Sequence, residues 1–395
     1  MREAVLIAAA VAAVLPVAAL ARNAAVYRDD GSLRRDEPAP VYSTNPRDPW
    51  NRIFHLLYAR RLRAQVRDAK SPKTPWRSIT RLEGGDIPEF FFPPDAGYLL
   101  EEPRRTRLRS ALEAEISSPS LRGRTPEARI LFQQDLWNRF DALQALAAKD
   151  ARAMPLARLL ARLMAKVALT EDELEGIQPG FAEAAGQWLD PGIFASGSGW
   201  SELISYFEGP GSEAGGGTTI HARRAGWRLV FRRFVRVPPE AGGEGDTLPL
   251  GATALLLETP LALSTKGELH PVPLILAAQV RVVRPGGAFA VLHAPRLAIS
   301  ASPRRLSLEA LGEEDLIPQM SSVSARSDGY PLVYVRQSCV ICHGPDGGIV
   351  GTAGLQVRPR TELLGPANTR EENRVLRAKR ESESFRALLK YFRGP

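Results

Sequence analysis

The chain has 395 residues, of which 44% are hydrophobic and 24% charged; this excludes a wholly disordered chain, and the length exceeds what one ordinary core organises, so roughly two or three domains are expected. A formal net charge of +8 suits acidic redox partner proteins, anionic lipid headgroups or acidic polysaccharide, whereas scattered basic residues without a recognition motif exclude nucleic acid. Cys339 and Cys342 are the only cysteines, which excludes a disulfide-stapled scaffold.

Residues 1–21, MREAVLIAAAVAAVLPVAALA, place an early Arg before an apolar run and end on Ala19-Leu20-Ala21, the order of a secretory signal peptide. Ala4–Ala21 is near the shortest length that spans a bilayer, so an uncleaved anchor is the alternative; Pro16 and the many alanines favour removal. Export is therefore expected, with a periplasm as the first destination to consider and secretion or the cell surface as the others. Residues 22–47, with Pro38, Pro40 and Pro46, read as an extended linker.

Residues 48–190 read as an all-helical domain. Its first helix is expected from Asp48 to about Arg67, with Trp50, Ile53, Phe54, Leu57 and Leu62 along one side. The three phenylalanines of Ile87–Pro94 sit among prolines that end any regular element, so they are expected to plug a core from a loop. Thr125-Pro126-Glu127 opens the strongest helix, with Leu131, Phe132, Leu136, Phe140 and Leu143 at helical spacing. A second stripe joins Leu156, Leu159, Leu160, Leu163 and Val167, and Thr170 with Glu173 fits a capping box for a short third helix. Trp137, Met154 and Met164 read as core.

Residues 191–300 read as an antiparallel β domain, with strands expected over Trp227–Val237, Ala254–Leu263, Pro273–Val283 and Phe289–Leu292. Arg228, Phe231-Arg232 and Phe234 break strict alternation and leave the register there open. Residues 301–395 form the last module, closing with a helix from about Thr369 whose Phe385, Leu388, Leu389 and Phe392 fall at i, i+3, i+4 and i+7 and dock on something apolar. The fold class is thus multidomain α+β: an N-terminal all-helical domain, a central antiparallel β-region and a small helical C-terminal module. The densest basic points, Arg104-Arg105, Arg223-Arg224, Arg232-Arg233 and Arg377–Arg380, read as solvated faces.

One motif carries chemistry. Cys339-Val340-Ile341-Cys342-His343 spaces two thiols to reach both vinyl groups of one porphyrin and sets an imidazole beside them for the iron. A zinc site would need two more ligands at short spacing, a thioredoxin-like pair leaves the His without a role, and a disulfide across so short a loop stabilises little. The reading is one covalent haem c on Cys339 and Cys342 with His343 as the proximal iron ligand.

Cys-Val-Ile-Cys-His-Gly-Pro-Asp-Gly-Gly, from Cys339 onward, resembles the attachment segment of the c-type cytochromes. The resemblance covers Tyr330 to Pro395 and does not extend to residues 22–320. It implies periplasmic electron transfer, and it implies that Phe385, Leu388, Leu389 and Phe392 pack near the haem-attachment helix. It also implies a Met or His downstream as the second axial ligand, yet residues 344–395 contain neither. Met320, in the polar stretch Gln319–Ser322, is the candidate distal ligand; His55, His221, His270 and His293 are weaker ones.

No catalytic residue stands out. An electron carrier is the first expectation, with Arg358 and Arg360 near enough in sequence to meet the haem propionates. An open iron site would instead suit a peroxidase-like enzyme, with His293 and Arg296 recruited above the iron, or a haem-based sensor or surface-assembly protein.

Overall fold

The structure is a computed structural model, and it describes residues 41–45, 47–58, 60–66, 77–83, 96–177, 199–205, 226–239, 249–282, 288–293, 309–310, 332–334, 355–357 and 370–392. The predicted signal segment 1–21 lies outside them, as do the phenylalanines of Ile87–Pro94. Among the described residues no helix is long and apolar enough to cross a membrane.

A helical layer packs beside β-structure, a mixed α+β architecture. Helix α1 (Pro49–Tyr58) is followed by strands β1 (Arg60–Val66) and β2 (Arg77–Glu83), a short 3-10 turn (Gly97–Leu100) and helices α2 (Arg104–Ser117), α3 (Pro126–Ala147), α4 (Ala153–Val167) and α5 (Glu171–Glu175). The β-region supplies β3 (Trp200–Ser205), β4 (Leu229–Arg236), β5 (Thr253–Leu263), β6 (Leu269–Pro271), β7 (Ala277–Val282), β8 (Ala288–His293) and β9 (Glu309–Ala310). Short strands β10 (Leu332–Tyr334) and β11 (Leu355–Val357) precede helices α6 (Arg370–Glu381) and α7 (Glu383–Phe392).

Helix α3 begins where its sequence signals place it. The Thr125 side chain accepts from the Ala128 N–H at 3.2 Å and Pro126 fills the first turn, satisfying one of the donors a helix start leaves free. Thr170 and Glu173 form the expected capping box. At the other end of α4, Arg129 donates to the Val167 carbonyl at 3.1 Å and to that of Ala168, and pairs with Glu173 at 2.7 Å. One guanidinium thereby covers carbonyls that the helix cannot satisfy itself.

The first helix is shorter than its pattern suggests, and the N-terminal part is not all-helical. Helix α1 stops at Tyr58, and the chain continues as β1 in a three-stranded sheet of order β10-β1-β2. The reason is legible in Arg61-Leu62-Arg63-Ala64-Gln65-Val66, where polar and apolar residues alternate with period two, the strand period. Of the predicted linker 22–47, residues 41–45 and 47 are described. There Val41 and Tyr42 are buried, because the Asn51 side chain accepts from both their N–H groups at 3.1 and 2.7 Å and donates to the Ser43 and Asn45 carbonyls at 2.7 and 3.0 Å.

The second sheet runs in the order β11-β3-β4-β5-β7-β8-β9, with β6 paired to β5, and every pairing in it is antiparallel. The four predicted strands appear as β4, β5, β7 and β8. Register on β4 is fixed by pairs such as Phe231 with Glu258 and Phe234 with Leu255. Its broken alternation has a simple cause: Val230, Phe231, Phe234 and Val235 are all buried, so both faces of this strand are covered.

Helix α3 is stitched to β5 through side-chain amides. Gln133 donates to the Leu263 carbonyl at 3.0 Å and accepts from its N–H at 2.7 Å, while Gln134 donates to the Leu261 carbonyl. Residues of the helical layer, the second sheet and the C-terminal helices contribute to one continuous apolar cluster, from Val41 to Phe392. Within the segment 301–395, β9 and β11 pair with strands of the second sheet, β10 pairs with β1, and α6 packs on β4.

Candidate functional site

Cys339, Cys342, His343 and Met320 lie outside the described residues, as do His221, Arg296, Arg358 and Arg360. The structure does describe the strands that flank the motif in sequence. Strand β10 runs parallel to β1, with Leu332 beside Arg63 and Tyr334 beside Gln65. Strand β11 runs antiparallel to β3, with Leu355 beside Ser205 and Val357 beside Leu203. The motif therefore falls in the connection between one strand of each sheet. As a donor set it fits haem c: two thiols at the required separation and an imidazole on the next residue.

The other candidate ligands sit as follows. His55 is half-buried on α1 and His270 half-buried on β6, while His293 ends β8 opposite Ala277 and Glu309. Met164 is fully buried, and Met154 accepts the Tyr391 hydroxyl at 3.5 Å, so both methionines are engaged in packing the helical layer. Phe385, Leu388 and Phe392 are buried as the α7 stripe predicts; the surface they meet is α3 and α4, with Phe385 stacked on Trp137 at 6.1 Å between centroids.

Sequence reasoning missed a buried charge cluster at the junction of α3, β4 and α6. Lys379 is 0% exposed; its ammonium lies 3.0 Å from an Asp141 carboxylate oxygen, donates to the Gly226 carbonyl at 2.9 Å and sits 4.7 Å from the Trp137 ring centroid. Arg228, also buried, donates to Asn138 Oδ1 at 3.0 Å and lies 3.4 Å from the same Asp141 oxygen. Arg139 rests over the Tyr58 ring at 4.0 Å. Burial lowers the pKa of both Lys379 and Arg228, and Asp141 opposes it.

Two of the basic points expected to be solvated are therefore partly internal: Lys379, and Arg232, which is 8% exposed and lies 3.8 Å from Glu372. The available signal was helical spacing. Glu372, Val375, Leu376 and Lys379 share one face of α6, and that face is buried against the core. Gly226 has φ of +62°, and a Cβ there would meet Asp141 Oδ2 at 3.1 Å, so the close approach of Lys379 and Arg228 to this turn uses the glycine. Lys379 and Arg228 share the one Asp141 carboxylate, and the cluster fastens the C-terminal helices to the helical layer.

Two further polar groups stand out. Glu258, fully buried on β5, has its carboxyl pushed up to about 8 by desolvation, with a Gln279 hydrogen bond opposing, so it is mostly protonated at neutral pH. On the surface, Glu171, Glu268 and His270 bring potential metal-ligating atoms within 4.8 Å of one another. There the Lys266 ammonium already lies 2.5 Å from Glu171, and this internal cation lowers the Glu171 pKa.

Comparisons with protein-family models, with curated proteins and with solved structures each return no match.

Proposed function

We propose that the chain is an exported monohaem c-type cytochrome acting in electron transfer, with one haem c held through Cys339 and Cys342 and ligated by His343. The observation that carries this reading is the pentapeptide Cys339–His343, whose residue types and spacing match haem attachment and no competing use of two thiols and an imidazole. The apolar run of residues 4–21 supports it, because the oxidising compartments outside the cytoplasm are where such a segment would carry the chain. When bound, the haem supplies an iron that changes oxidation state. The chain's own contribution would be to hold the porphyrin through Cys339 and Cys342, ligate the iron with His343 and supply Arg358 and Arg360 as candidate partners for the propionates.

With no Met or His in residues 344–395, the candidates for the second axial position in this reading are Met320 first and His55, His221, His270 and His293 after it, or the position is open. That same absence supports an alternative reading as an open-site haem protein, a peroxidase-like enzyme or a sensor. The visible spectrum of the purified protein, oxidised and reduced, with and without carbon monoxide, separates them. The carrier reading expects low-spin spectra that carbon monoxide does not change; high-spin iron that binds it readily overturns the carrier in favour of the open site. Met320→Ala changes the low-spin spectrum if Met320 is the ligand, and leaves it unchanged if it is not.

A further inference from the structure

Helix α4 has no acidic residue, and its Arg158, Arg162 and Lys166 recur every fourth position with all three exposed. That spacing sets them on one stripe. Helix α7 packs beside α4, fixed by the Tyr391 hydroxyl on Met154 at 3.5 Å and by the Arg158 guanidinium 5.2 Å from the Tyr391 ring centroid. It exposes two more cations, Arg386 and Lys390, against one exposed carboxylate, Glu383. Among the described residues none of these five cations makes an ion pair. Their neighbours at the start of α4 and on α2 differ: Arg152 pairs with Asp150 at 2.6 Å, Arg105 with Glu102 at 2.7 Å and Arg109 with Glu113 at 2.8 Å.

We infer that the α4–α7 face is a docking surface for an anionic lipid bilayer. Charge complementarity gives the sign of the partner: five uncompensated cations spread over two adjacent helices attract a polyanionic surface. The apolar content of the face selects the kind. A stable protein–protein interface centres on large apolar or aromatic anchors in a dry core, but the one large hydrophobic side chain exposed among the described residues is Leu250, on the turn before β5. Cations on flexible stems, with Leu159, Leu389 and Tyr391 half-buried rather than exposed beside them, suit a wet, laterally adaptable layer of headgroups, which demands no fixed geometry from its partner. Attachment of this kind is peripheral and reversible by salt. It is independent of whether the chain carries haem.

The test is sedimentation of the full chain with vesicles of phosphatidylcholine alone and of phosphatidylcholine with phosphatidylglycerol, at low and high sodium chloride. Binding is expected to the anionic vesicles only and to be lost at high salt. Any contribution of the apolar segment 4–21 would be shared by both vesicle types, so the difference between them is the readout. Each cation near such a surface contributes roughly fivefold, so the triple variant Arg158→Gln, Arg162→Gln, Lys166→Gln is expected to lower partitioning on the order of a hundredfold. A control with the same loss of charge elsewhere, Arg52→Gln, Arg122→Gln, Lys266→Gln, should lose far less. Equal losses in the two triples, or no preference for anionic vesicles, overturn the proposal. Retention of the wild type on immobilised polyglutamate without binding to anionic vesicles also overturns it, and assigns the face to an acidic protein.

Discussion

Two sets of cations in this molecule have opposite surroundings. Lys379, Arg228 and Arg139 are inside, gathered around Asp141, Asn138 and Tyr58 where α3, β4 and α6 meet. Arg158, Arg162 and Lys166 are outside on α4 without ion-pair partners among the described residues. The residue types, Arg and Lys, are the same in both sets. Their energetic meaning follows from water. Inside, a charge must be paired because desolvation is costly, and its loss strands the partner; outside, solvent screens it and it contributes little to stability, which leaves it free to act on something else.

The sharpest way to break this contrast is to remove one internal partner. Lys379→Ala keeps Asp141 facing Arg228 but opens a void beside Trp137 and frees the Gly226 carbonyl, and is expected to lower unfolding free energy by about 2–4 kcal/mol. Arg158→Ala on the surface is expected to change it by less than about 0.5 kcal/mol. Chemical denaturation of the two variants in parallel checks the pair, and equal effects would mean that Lys379 does not fasten α6 to the core.

Glu258 offers a contrast within the core, as a buried acid that desolvation keeps mostly protonated at neutral pH. Its folded pKa of about 8 lies above the ordinary 4.5, so the native state holds a proton that the unfolded chain releases over that range. The stabilising effect is complete below about pH 4.5 and is lost as pH rises through 8, with a slope of about 1.4 kcal/mol per pH unit inside the window. Glu258→Gln should remove this slope. Stability measured at pH 5 and pH 8 should therefore favour the variant relative to wild type more at pH 8. A gap that does not change with pH would contradict burial of an ionisable group there.

The smallest expected effect is at a helix start. Thr125→Ala deletes the hydroxyl that accepts from Ala128 and should cost about 1 kcal/mol, read by the same denaturation experiment.

Local signals were the legible part of the fold. Thr125-Pro126-Glu127 and Thr170–Glu173 announced helix starts because capping is settled within four residues, and the four central strands were visible because turn chemistry separates them. What needed tertiary structure was less visible. Arg60–Val66 reads as a continuation of α1 when the apolar stripe is followed on to Leu62, although its period-two alternation is the strand signal, and pairing with β2 and β10 decides between them. Lys379 lies within a run of basic residues and is distinguished only by its spacing from Val375 and Leu376. Glu258 ends the run Leu255-Leu256-Leu257, where nothing local announces a buried acid. The haem reading, by contrast, rests on five adjacent residues, because thiol spacing is a local requirement.

The most direct test of that reading is whether haem remains attached when the purified protein, produced in a host that matures c-type cytochromes outside the cytoplasm, is denatured and extracted with acidified acetone. Wild type is expected to retain its haem and Cys339→Ser, Cys342→Ser to lose it. Haem that extracts from wild type, or stays on the double variant, would contradict that reading.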